Sequence, residues 1–346
     1  MTDSEAESAQ QLMRKAVTLG YKGQGLTSPN PPVGAVIARD GIVLGEGYHR
    51  RCGDAHAELL AIAEAQSKGG EDLRDATLYV TLEPCSSEGR TGACTRAIID
   101  AGIGAVVVGS VDPDSRHQGR AQKILEAAGI SVRFGVLEEE CAFLIRGFEK
   151  VARKGLPWVI AKAGMTMDGR ITRPKGEGQW ITGEEARRDA MELRFQADAI
   201  VIGANTARVD NPKLTLRGEG LPGGKKQPWR VVLGNRESLP DSLHLFTDHE
   251  AERTKVLSGE DLSSLLGEMA SWGVTTVLVE GGGAVLRAFF ASSLVDEAIF
   301  YLAPRIGLNG LSVTGEAGEA GSGSVDLRFG QVSKIGEDLR IQAFSC

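Results

Sequence analysis

The stretch "TLEPCSSEGRTGACT" (81–95) holds two of the chain's five cysteines, Cys85 and Cys94, in a polar, glycine-containing loop. Their spacing alone fits two ordinary loop thiols as well as it fits a pair of metal ligands. Five cysteines in 346 residues do not make a disulfide framework, so we expect a reducing cytoplasm. In that compartment, clustered cysteines more often bind a metal or act in catalysis. The neighbouring sequence distinguishes metal ligands from ordinary loop thiols.

A second segment, "HAE" (56–58), favours a metal. His-x-Glu followed by Pro-Cys and a further Cys is the signature of zinc-dependent deaminases. His56, Cys85 and Cys94 would give Zn²⁺ three ligands and leave the fourth tetrahedral position for a water, whose pKa the metal lowers toward neutrality. Glu58 is the predicted proton shuttle between that water, a substrate ring nitrogen and the departing amine. The pattern therefore predicts hydrolytic deamination.

The spacing Cys-x8-Cys departs from the usual Cys-x-x-Cys and is too long for the common nucleoside and tRNA deaminases. Cys94 is expected at a helix N-terminus, where the helix dipole favours the thiolate. Cys52 could be a spare ligand, but a catalytic zinc needs an open position. Cys141 lies on an apolar helix face and is expected in the core.

Strand and helix signals alternate through the first half of the chain. "PPVGAVIARDGIVLGEGYH" (31–49) predicts two strands joined at Asp40-Gly41. "DAHAELLAIAEAQSKG" (54–69) has helical apolar spacing, and one helix over 138–155 is predicted to close the unit. A strand in "LPWVIAKAGMTMDGRI" (156–171) then opens a second α/β unit.

The length and composition are those of an ordinary globular protein with two domains, which we place at residues 1–152 and 156–346. Residues 1–150 carry 16 Lys and Arg against 21 Asp and Glu, and the remainder carries 23 against 25, so the net charge is −7. Neither half has the basic surplus of a nucleic-acid binder. The sequence shows no signal-peptide pattern and no apolar run of about 18 residues, so no membrane partner is expected.

Six segments, in this order, resemble the bifunctional deaminase–reductases of riboflavin biosynthesis: "SPNPPVGAVI", "GEGYHR", "HAE", "TLEPCSSEGRTGAC", "VDPDSRHQGRAQKILEAAGI" and "DGRI…GQWIT…ARRD…LR". The likeness covers roughly residues 8–310 and includes the Cys-x8-Cys spacing. It implies a cytidine-deaminase-like α/β/α sandwich for a zinc-dependent pyrimidine deaminase domain at 1–152. For 156–346 it implies a dihydrofolate-reductase-like α/β domain that acts as an NADPH-dependent reductase.

The resemblance also implies a two-step reaction and a homo-oligomer. The first domain would deaminate 2,5-diamino-6-ribosylamino-4(3H)-pyrimidinone 5′-phosphate. The second would reduce the ribosyl group of 5-amino-6-(5-phosphoribosylamino)uracil to ribityl. The implied substrate contacts in the first domain are Asn30, His49, Arg90 and Asp112. An amide such as that of Asn30 suits a pyrimidine edge, and an arginine such as Arg90 suits a phosphate or carbonyl.

Some positions depart from the family pattern. "CSSEG" stands where the family commonly has Cys-Ser-His-His-Gly, so Ser87 and Glu88 replace imidazoles, and Glu88 adds a negative charge. Asp114 replaces the Asn of Asp-Pro-Asn, and Gly178 replaces the Ser of Ser-Gln-Trp. None of them is a zinc ligand or the shuttle Glu58, so they bear on substrate binding and not on the type of reaction.

In the second domain, "VLVEGGGAVL" (277–286) predicts a strand, three glycines and a helix, and backbone amides at a helix N-terminus suit a pyrophosphate. Such glycines can also serve packing alone, and the segment is not the G-x-G-x-x-G of a Rossmann site. Taken alone, Trp180 would be an ordinary half-buried tryptophan and Lys162 a surface lysine.

The resemblance assigns these residues roles, with Lys162 as a proton donor to the sugar oxygen. The NADPH contacts that it implies are Gly164, Trp180, Thr206, Asp210, Gly281, Gly282 and Gly283. The substrate contacts that it implies are Arg194, Leu214, Arg217 and Glu280. Of these, Arg194 and Arg217 would hold the phosphate through their planar forks.

Three alternatives compete with a two-step enzyme. A lone deaminase with a nucleotide-binding or assembly domain would not need Lys162, Thr206 and Asp210. A zinc module that only scaffolds a partner would close its site with a fourth ligand and would not need Glu58. A nucleic-acid deaminase is disfavoured by the acidic first half.

Overall fold

The chain divides into two compact units, Met1–Gly155 and Leu156–Cys346, in the computed structural model of the protein. The structure describes residues 3–69, 72–86, 93–115, 117–173, 180–217, 225–258, 261–315 and 323–346. Four residues singled out from the sequence lie outside these ranges: Ser87, Glu88, Arg90 and Gly178. Within the described ranges, no helix is both long and apolar enough to cross a membrane.

A five-stranded sheet forms the centre of the first unit, in the order β2-β1-β3-β4-β5. Its strands are β1 (Gly34–Arg39), β2 (Ile42–Tyr48), β3 (Thr77–Leu82), β4 (Ala105–Ser110) and β5 (Ser131–Phe134). Strand β1 is antiparallel to β2 and β3, whereas β3, β4 and β5 are parallel. The predicted hairpin turn is confirmed, with Asp40 and Gly41 at φ 50° and 77°, a left-handed pair that suits a two-residue turn.

Helices cover both faces of this sheet. They are α1 (Asp3–Tyr21), α2 (Ala57–Ser67), α3 (Cys94–Asp100), α4 (Arg120–Ala127), α5 (Glu138–Leu144) and α6 (Arg146–Lys154). One core joins α1 and α5 to a face of β1 and β4, and another joins α2, α3 and α4 to the opposite face. The result is the expected α/β/α sandwich, with Cys141 buried in the first of these cores.

The single helix predicted over 138–155 is instead two helices, α5 and α6. They meet at Ile145, whose backbone leaves helical geometry at φ −100° and ψ 12°. The sequence has no proline here, and its nearest glycine, Gly147, lies inside the first turn of α6 rather than at the break. The buried Ile145 side chain belongs to the core of the sheet, so tertiary packing sets the break.

The second unit contains an eight-stranded sheet, in the order β12-β13-β11-β6-β10-β7-β8-β9. Its strands are β6 (Trp158–Thr166), β7 (Ala199–Gly203), β8 (Trp229–Leu233), β9 (Thr254–Leu257), β10 (Thr276–Val279), β11 (Glu297–Ala303), β12 (Leu327–Ile335) and β13 (Asp338–Ser345). The six strands from β11 to β9 in this order are parallel, and β13 is antiparallel to both β11 and β12.

The helices of this unit are α7 (Glu184–Gln196), α8 (Ala204–Asp210), α9 (His244–Thr247), α10 (Leu262–Ser271) and α11 (Gly283–Ala291). Alternate residues of the central strands point to opposite faces. Val201 faces α10 and α11, whereas Ile200 and Ile202 face the segment that carries α8 and α9. Helix α7 packs on the latter face beside Ile160 and Leu278. Both faces of the parallel strands are therefore buried, as such sheets require.

Candidate active sites

Residues from four separate segments of the first unit meet at one edge of its sheet. Cys85 and Asp112 follow the carboxyl ends of the parallel strands β3 and β4. Because β1 runs antiparallel to β3, its start lies at the same edge, and Gly34 N donates to Thr81 Oγ1 at 3.1 Å. Asn30 precedes β1 and His49 follows β2, so the pairing order alone brings the predicted residues together.

The three predicted zinc ligands form one cluster. His56 Nδ1 lies 3.2 Å from Cys94 Sγ and 3.6 Å from Cys85 Sγ, and all three ligand atoms lie within 4.8 Å of one another. His56 occupies the N-cap of α2, and Cys94 is the first residue of α3. The Cys94 N–H donates to Cys85 Sγ at 3.3 Å, which holds the two thiols together.

This donor set fits zinc. Zn–S bonds of about 2.3 Å and Zn–N bonds of about 2.0–2.1 Å at a tetrahedral angle separate nitrogen and sulfur by about 3.6 Å, close to the distances in the cluster. The hydrogen bond with Cys94 lowers the pKa of Cys85 to about 4, and that with Cys85 raises the pKa of Cys94. One thiolate is thus favoured by the protein alone, and a divalent cation favours the second.

Glu58 lies in the first turn of α2, two residues after the histidine, and its side chain is 3% exposed. Burial raises the pKa of Glu58, and the negative charge of Cys85 adds to that effect. A carboxyl group in these surroundings can both accept and release a proton.

Asn30 and His49 lie beside the cluster. The Asn30 Nδ2 and His49 Nε2 atoms are 3.3 Å apart, and His49 Nδ1 lies 3.2 Å from the Ala55 carbonyl oxygen. The rings of His49 and His56 pack edge to face with centroids 5.3 Å apart. Desolvation lowers the pKa of His49, so the neutral imidazole donates to Ala55 and accepts from Asn30. The Asn30 Oδ1 atom, which has no hydrogen-bond donor among the described residues, is then available to accept from a ligand.

Asp112 is half-buried just beyond β4. Its Oδ1 accepts from Asp114 N at 2.9 Å, and burial raises its pKa. A further residue, Glu83, was not predicted from the sequence; it is a buried carboxylate that accepts from Asp112 N at 3.3 Å. The sequence signal that could have identified Glu83 was the position of an acidic residue directly between a buried strand and Pro84-Cys85.

In the second unit, a cavity of about 570 Å³ opens at the carboxyl ends of β6, β7 and β10. Ligands of open parallel sheets bind at such edges. Many of its lining residues were predicted from the sequence: Lys162, Gly164, Thr206, Asp210, Glu280, Gly281, Gly282 and Gly283. Residues that were not predicted complete the lining, among them Asn205, Thr172 and Ser312.

Glu280 is the charged centre of this cavity. Arg194 Nε and Nη2 donate to its two carboxylate oxygens at 2.6 and 2.9 Å, and Lys162 Nζ lies 3.5 Å from Oε2. Burial opposes ionisation of Glu280, but the two cations outweigh it and hold its pKa at about 2. Arg194 thus directs its fork at Glu280 in this structure, and its predicted contact with a substrate phosphate stays a prediction.

The glycine segment passes from β10 into α11 in tight contact with its neighbours. A Cβ at Gly283 would lie 2.1 Å from Gly315 N and 2.4 Å from Ser312 O. A Cβ at Gly281 would lie 2.5 Å from Val285 Cβ. Packing and access of a ligand to the backbone therefore both require glycine here.

Four predicted contacts do not line this cavity, and one of them, Arg194, reaches it only through Glu280. Trp180 is 56% exposed, with the Arg187 guanidinium 5.2 Å from its ring centroid. The Leu214 side chain is 2% exposed and packs in the core with Ile200 and Ile202, so only its backbone can reach a ligand. Arg217 is exposed, and its N–H donates to Met191 Sδ at 3.4 Å.

Comparison with known proteins gives both units a family. Residues 6–110 match the model of the cytidine and deoxycytidylate deaminase zinc-binding region, and residues 157–341 match that of the RibD C-terminal domain. The riboflavin biosynthesis protein RibD of Aquifex aeolicus is 36% identical over 353 residues, which cover 95% of this chain and 96% of the relative. That of Escherichia coli is 36% identical over 324 residues, which cover 85% of this chain and 87% of the relative.

Solved structures agree. Acinetobacter baumannii RibD superposes with a TM-score of 0.88 at 32% identity, covering 99% of each chain. A Thermotoga maritima diaminohydroxyphosphoribosylaminopyrimidine deaminase/5-amino-6-(5-phosphoribosylamino)uracil reductase gives the same TM-score and identity, covering 99% of this chain and 100% of its own. With a deaminase-type metal cluster in one unit and a RibD-type reductase fold in the other, the chain belongs to the RibD family of bifunctional deaminase–reductases of riboflavin biosynthesis.

Proposed function

We propose that the first unit deaminates 2,5-diamino-6-ribosylamino-4(3H)-pyrimidinone 5′-phosphate at a zinc ion held by His56, Cys85 and Cys94. The observation that carries this proposal is the cluster of these three side chains with the buried Glu58 beside it. Zinc, when bound, would lower the pKa of a water to near neutrality.

The residues around the cluster have distinct proposed roles in this step. Glu58 takes one proton from the attacking water and passes it to the ring nitrogen of the pyrimidine. It then takes the second proton from the new hydroxyl and gives it to the amine, so that the C–N bond breaks, ammonia leaves and the carbonyl forms. Asn30, oriented by His49, presents Oδ1 to the pyrimidine edge. Asp112, at the same edge of the sheet, contacts the substrate. Arg90, outside the described residues, remains the proposed cation for the substrate phosphate or carbonyl.

We propose further that the second unit reduces 5-amino-6-(5-phosphoribosylamino)uracil with NADPH as the hydride source. The cavity at the glycine segment supports this, because backbone N–H groups at the start of α11 suit a pyrophosphate. Lys162 donates a proton to the sugar oxygen as the anomeric carbon is reduced, and the ionised Glu280 holds its ammonium in place. The remaining proposed NADPH contacts are Gly164, Trp180, Thr206 and Asp210. Arg194, Leu214 and Arg217 are the proposed substrate contacts.

One experiment tests both halves. The purified zinc-loaded protein is given the diaminopyrimidine ribosylamine phosphate and NADPH, and ammonia release and NADPH oxidation are recorded together. We expect equal amounts of both from the wild type and neither from Glu58→Ala. Ammonia without NADPH oxidation would contradict the reductase assignment, and no ammonia at all would contradict the proposed substrate.

An Arg194→Ala variant separates the two sites. We expect it to lose NADPH oxidation and to keep ammonia release, because the one side chain of the described residues that Arg194 is seen to bond is Glu280, in the cavity of the second unit. Parallel loss of both activities would contradict two separate sites. Self-association is proposed from the family resemblance alone, and light scattering on the purified chain tests it.

A further inference from the structure

Glu83 is a buried carboxylate whose side-chain partners, among the described residues, are all backbone N–H groups between the end of β4 and the first turn of α4. Its side chain is 4% exposed. Oε2 accepts from Asp112 N at 3.3 Å and from Gly119 N at 3.1 Å, and Oε1 accepts from Ala121 N at 3.1 Å. Among the described residues, no cationic side chain forms an ion pair with it.

The position of Glu83 links two parts of the deaminase site. It stands between the end of β3 and the zinc-ligand turn Pro84-Cys85. Its own N–H donates to the Ser110 carbonyl at 2.9 Å, at the end of β4. Its carboxylate reaches both ends of the segment 112–121, which begins at Asp112 and runs into α4. A negative charge at the first turn of α4 is favoured by the helix dipole.

The geometry of the loop depends on these contacts. Gly119, the N-cap of α4, has φ 71°, a left-handed conformation that glycine adopts readily. Its N–H is directed at Glu83 Oε2. Because hydrogen bonds to an ionised acceptor are stronger than neutral ones, three of them fix the loop relative to the end of β3.

We propose that Glu83 is a positioning residue of the deaminase, which holds Asp112 in register with the zinc-ligand turn so that Asp112 can contact the substrate. This rests on the proposed role of Asp112 as a substrate contact. The competing interpretation is that Glu83 only stabilises the fold. A positioning role predicts that replacement of Glu83 weakens substrate binding and does so only when Asp112 is present. A purely structural role predicts lower stability without either result.

The test measures deamination in the zinc-loaded full-length protein for Glu83→Gln, Asp112→Asn and the double variant. The amide introduced by Glu83→Gln keeps the shape of the side chain but can no longer accept from all three N–H groups. We expect this variant to raise KM for the diaminopyrimidine phosphate roughly tenfold, as for the loss of about one charged hydrogen bond, with kcat and zinc content kept. Because Glu83 acts through Asp112, the double variant should have the KM of Asp112→Asn alone.

The controls use the same chain. Glu126→Gln removes an exposed carboxylate from the other end of α4 and should leave KM unchanged. NADPH oxidation with the deaminated substrate reports on the second unit and should be normal throughout. Gly119→Ala is a second way to disturb the same loop. The added Cβ would meet no atom within 4 Å, but alanine is strained at the positive φ of this position. If Glu83→Gln does not fold, Gly119→Ala should show the same rise in KM.

Several results would contradict the positioning role of Glu83. A lower melting temperature with normal KM, additive effects in the double variant, or loss of zinc from Glu83→Gln would each overturn the positioning role. Normal KM in Asp112→Asn would remove Asp112 from the proposed site and overturn the inference with it. Ammonia release by the wild type tests the proposed substrate, independently of the results for the variants.

Discussion

At the scale of single residues, two buried glutamates meet opposite surroundings. Glu58 lies beside the thiols of the metal cluster, and burial raises its pKa. Glu280 lies between Lys162 and Arg194, which hold its pKa at about 2 despite burial. The first environment favours a group that exchanges protons, and the second favours a fixed negative charge.

Replacement of Glu280 by Gln should therefore damage the second unit alone. Two partly buried cations would lose their common partner, and the loss should cost somewhat less than the roughly 3 kcal/mol or more that is typical of a fully buried pair. We expect NADPH oxidation to be lost and ammonia release to be kept, and urea unfolding of the second unit to shift to lower denaturant. Unchanged NADPH oxidation would show that the charge at Glu280 is not needed.

The same carboxylate makes a prediction about pH. Because the pKa of Glu280 in the folded state, about 2, lies below its ordinary value of 4.5, its contribution to stability is complete above pH 4.5 and is lost as the pH falls toward 2. Between about pH 5 and pH 3, the wild type should lose more unfolding free energy than Glu280→Gln. Equal slopes in denaturant titrations would contradict this.

The metal cluster gives another residue-scale prediction. Cys85→Ser removes one of only three proposed ligands, so bound zinc should fall from about one per chain to near zero and ammonia release should stop. Metal analysis by mass spectrometry provides the measurement. Cys52→Ser is the matched control, since Cys52 is exposed and should not bind the metal. Loss of zinc from the control would make Cys52 a ligand.

At the scale of elements, the turn between β10 and α11 combines packing with binding. Its glycines allow α11 to begin against the backbone of Ser312 and Gly315. Strand-to-helix turns at the carboxyl edge of a parallel sheet place helix N–H groups toward a ligand. The cavity therefore depends on the absence of Cβ atoms there.

Gly283→Ala should displace the start of α11, because the added Cβ would meet backbone atoms at 2.1 and 2.4 Å. We expect KM for NADPH to rise roughly tenfold or more, since misplacement of about 1 Å carries such losses. Gly267→Ala in α10 is the control, because its Cβ would meet nothing within 4 Å. A helical alanine there should be neutral or stabilise by about 0.5–1 kcal/mol. Steady-state kinetics and thermal unfolding distinguish the two.

At the scale of the whole molecule, each unit has its own sheet and its own core. In the described part of the chain, no strand is shared between the five-stranded and eight-stranded sheets. Each unit is also long enough to bury a core by itself. The two activities should therefore be separable at the level of the chain.

We expect residues 1–155 and 156–346, expressed separately, to fold with cooperative unfolding transitions. The first fragment should release ammonia when loaded with zinc, and the second should oxidise NADPH when given the deaminated substrate. Circular dichroism and the two assays measure this. A fragment that unfolds alone, or regains activity only on mixing, would show that its core is incomplete.

Much of this protein could be read from the sequence alone. The pair "HAE" and "PC" with a second cysteine predicted the metal ligands and the shuttle, because zinc chemistry restricts both residue types and order. Apolar periodicity and the Asp40-Gly41 turn predicted most strands and helices of the first unit, since these signals are local. The order of six motifs along the chain identified the family.

Other features required the tertiary structure, because they depend on partners distant in sequence. The break at Ile145 follows from its packing against the sheet, and strand β12 is so exposed that it carries little apolar alternation. The fork of Arg194 is directed at Glu280, 86 residues away. Likewise, Glu83 looks like one acidic residue in a motif until the loop that follows β4 folds back onto it, because only strand pairing places that loop within reach of its carboxylate.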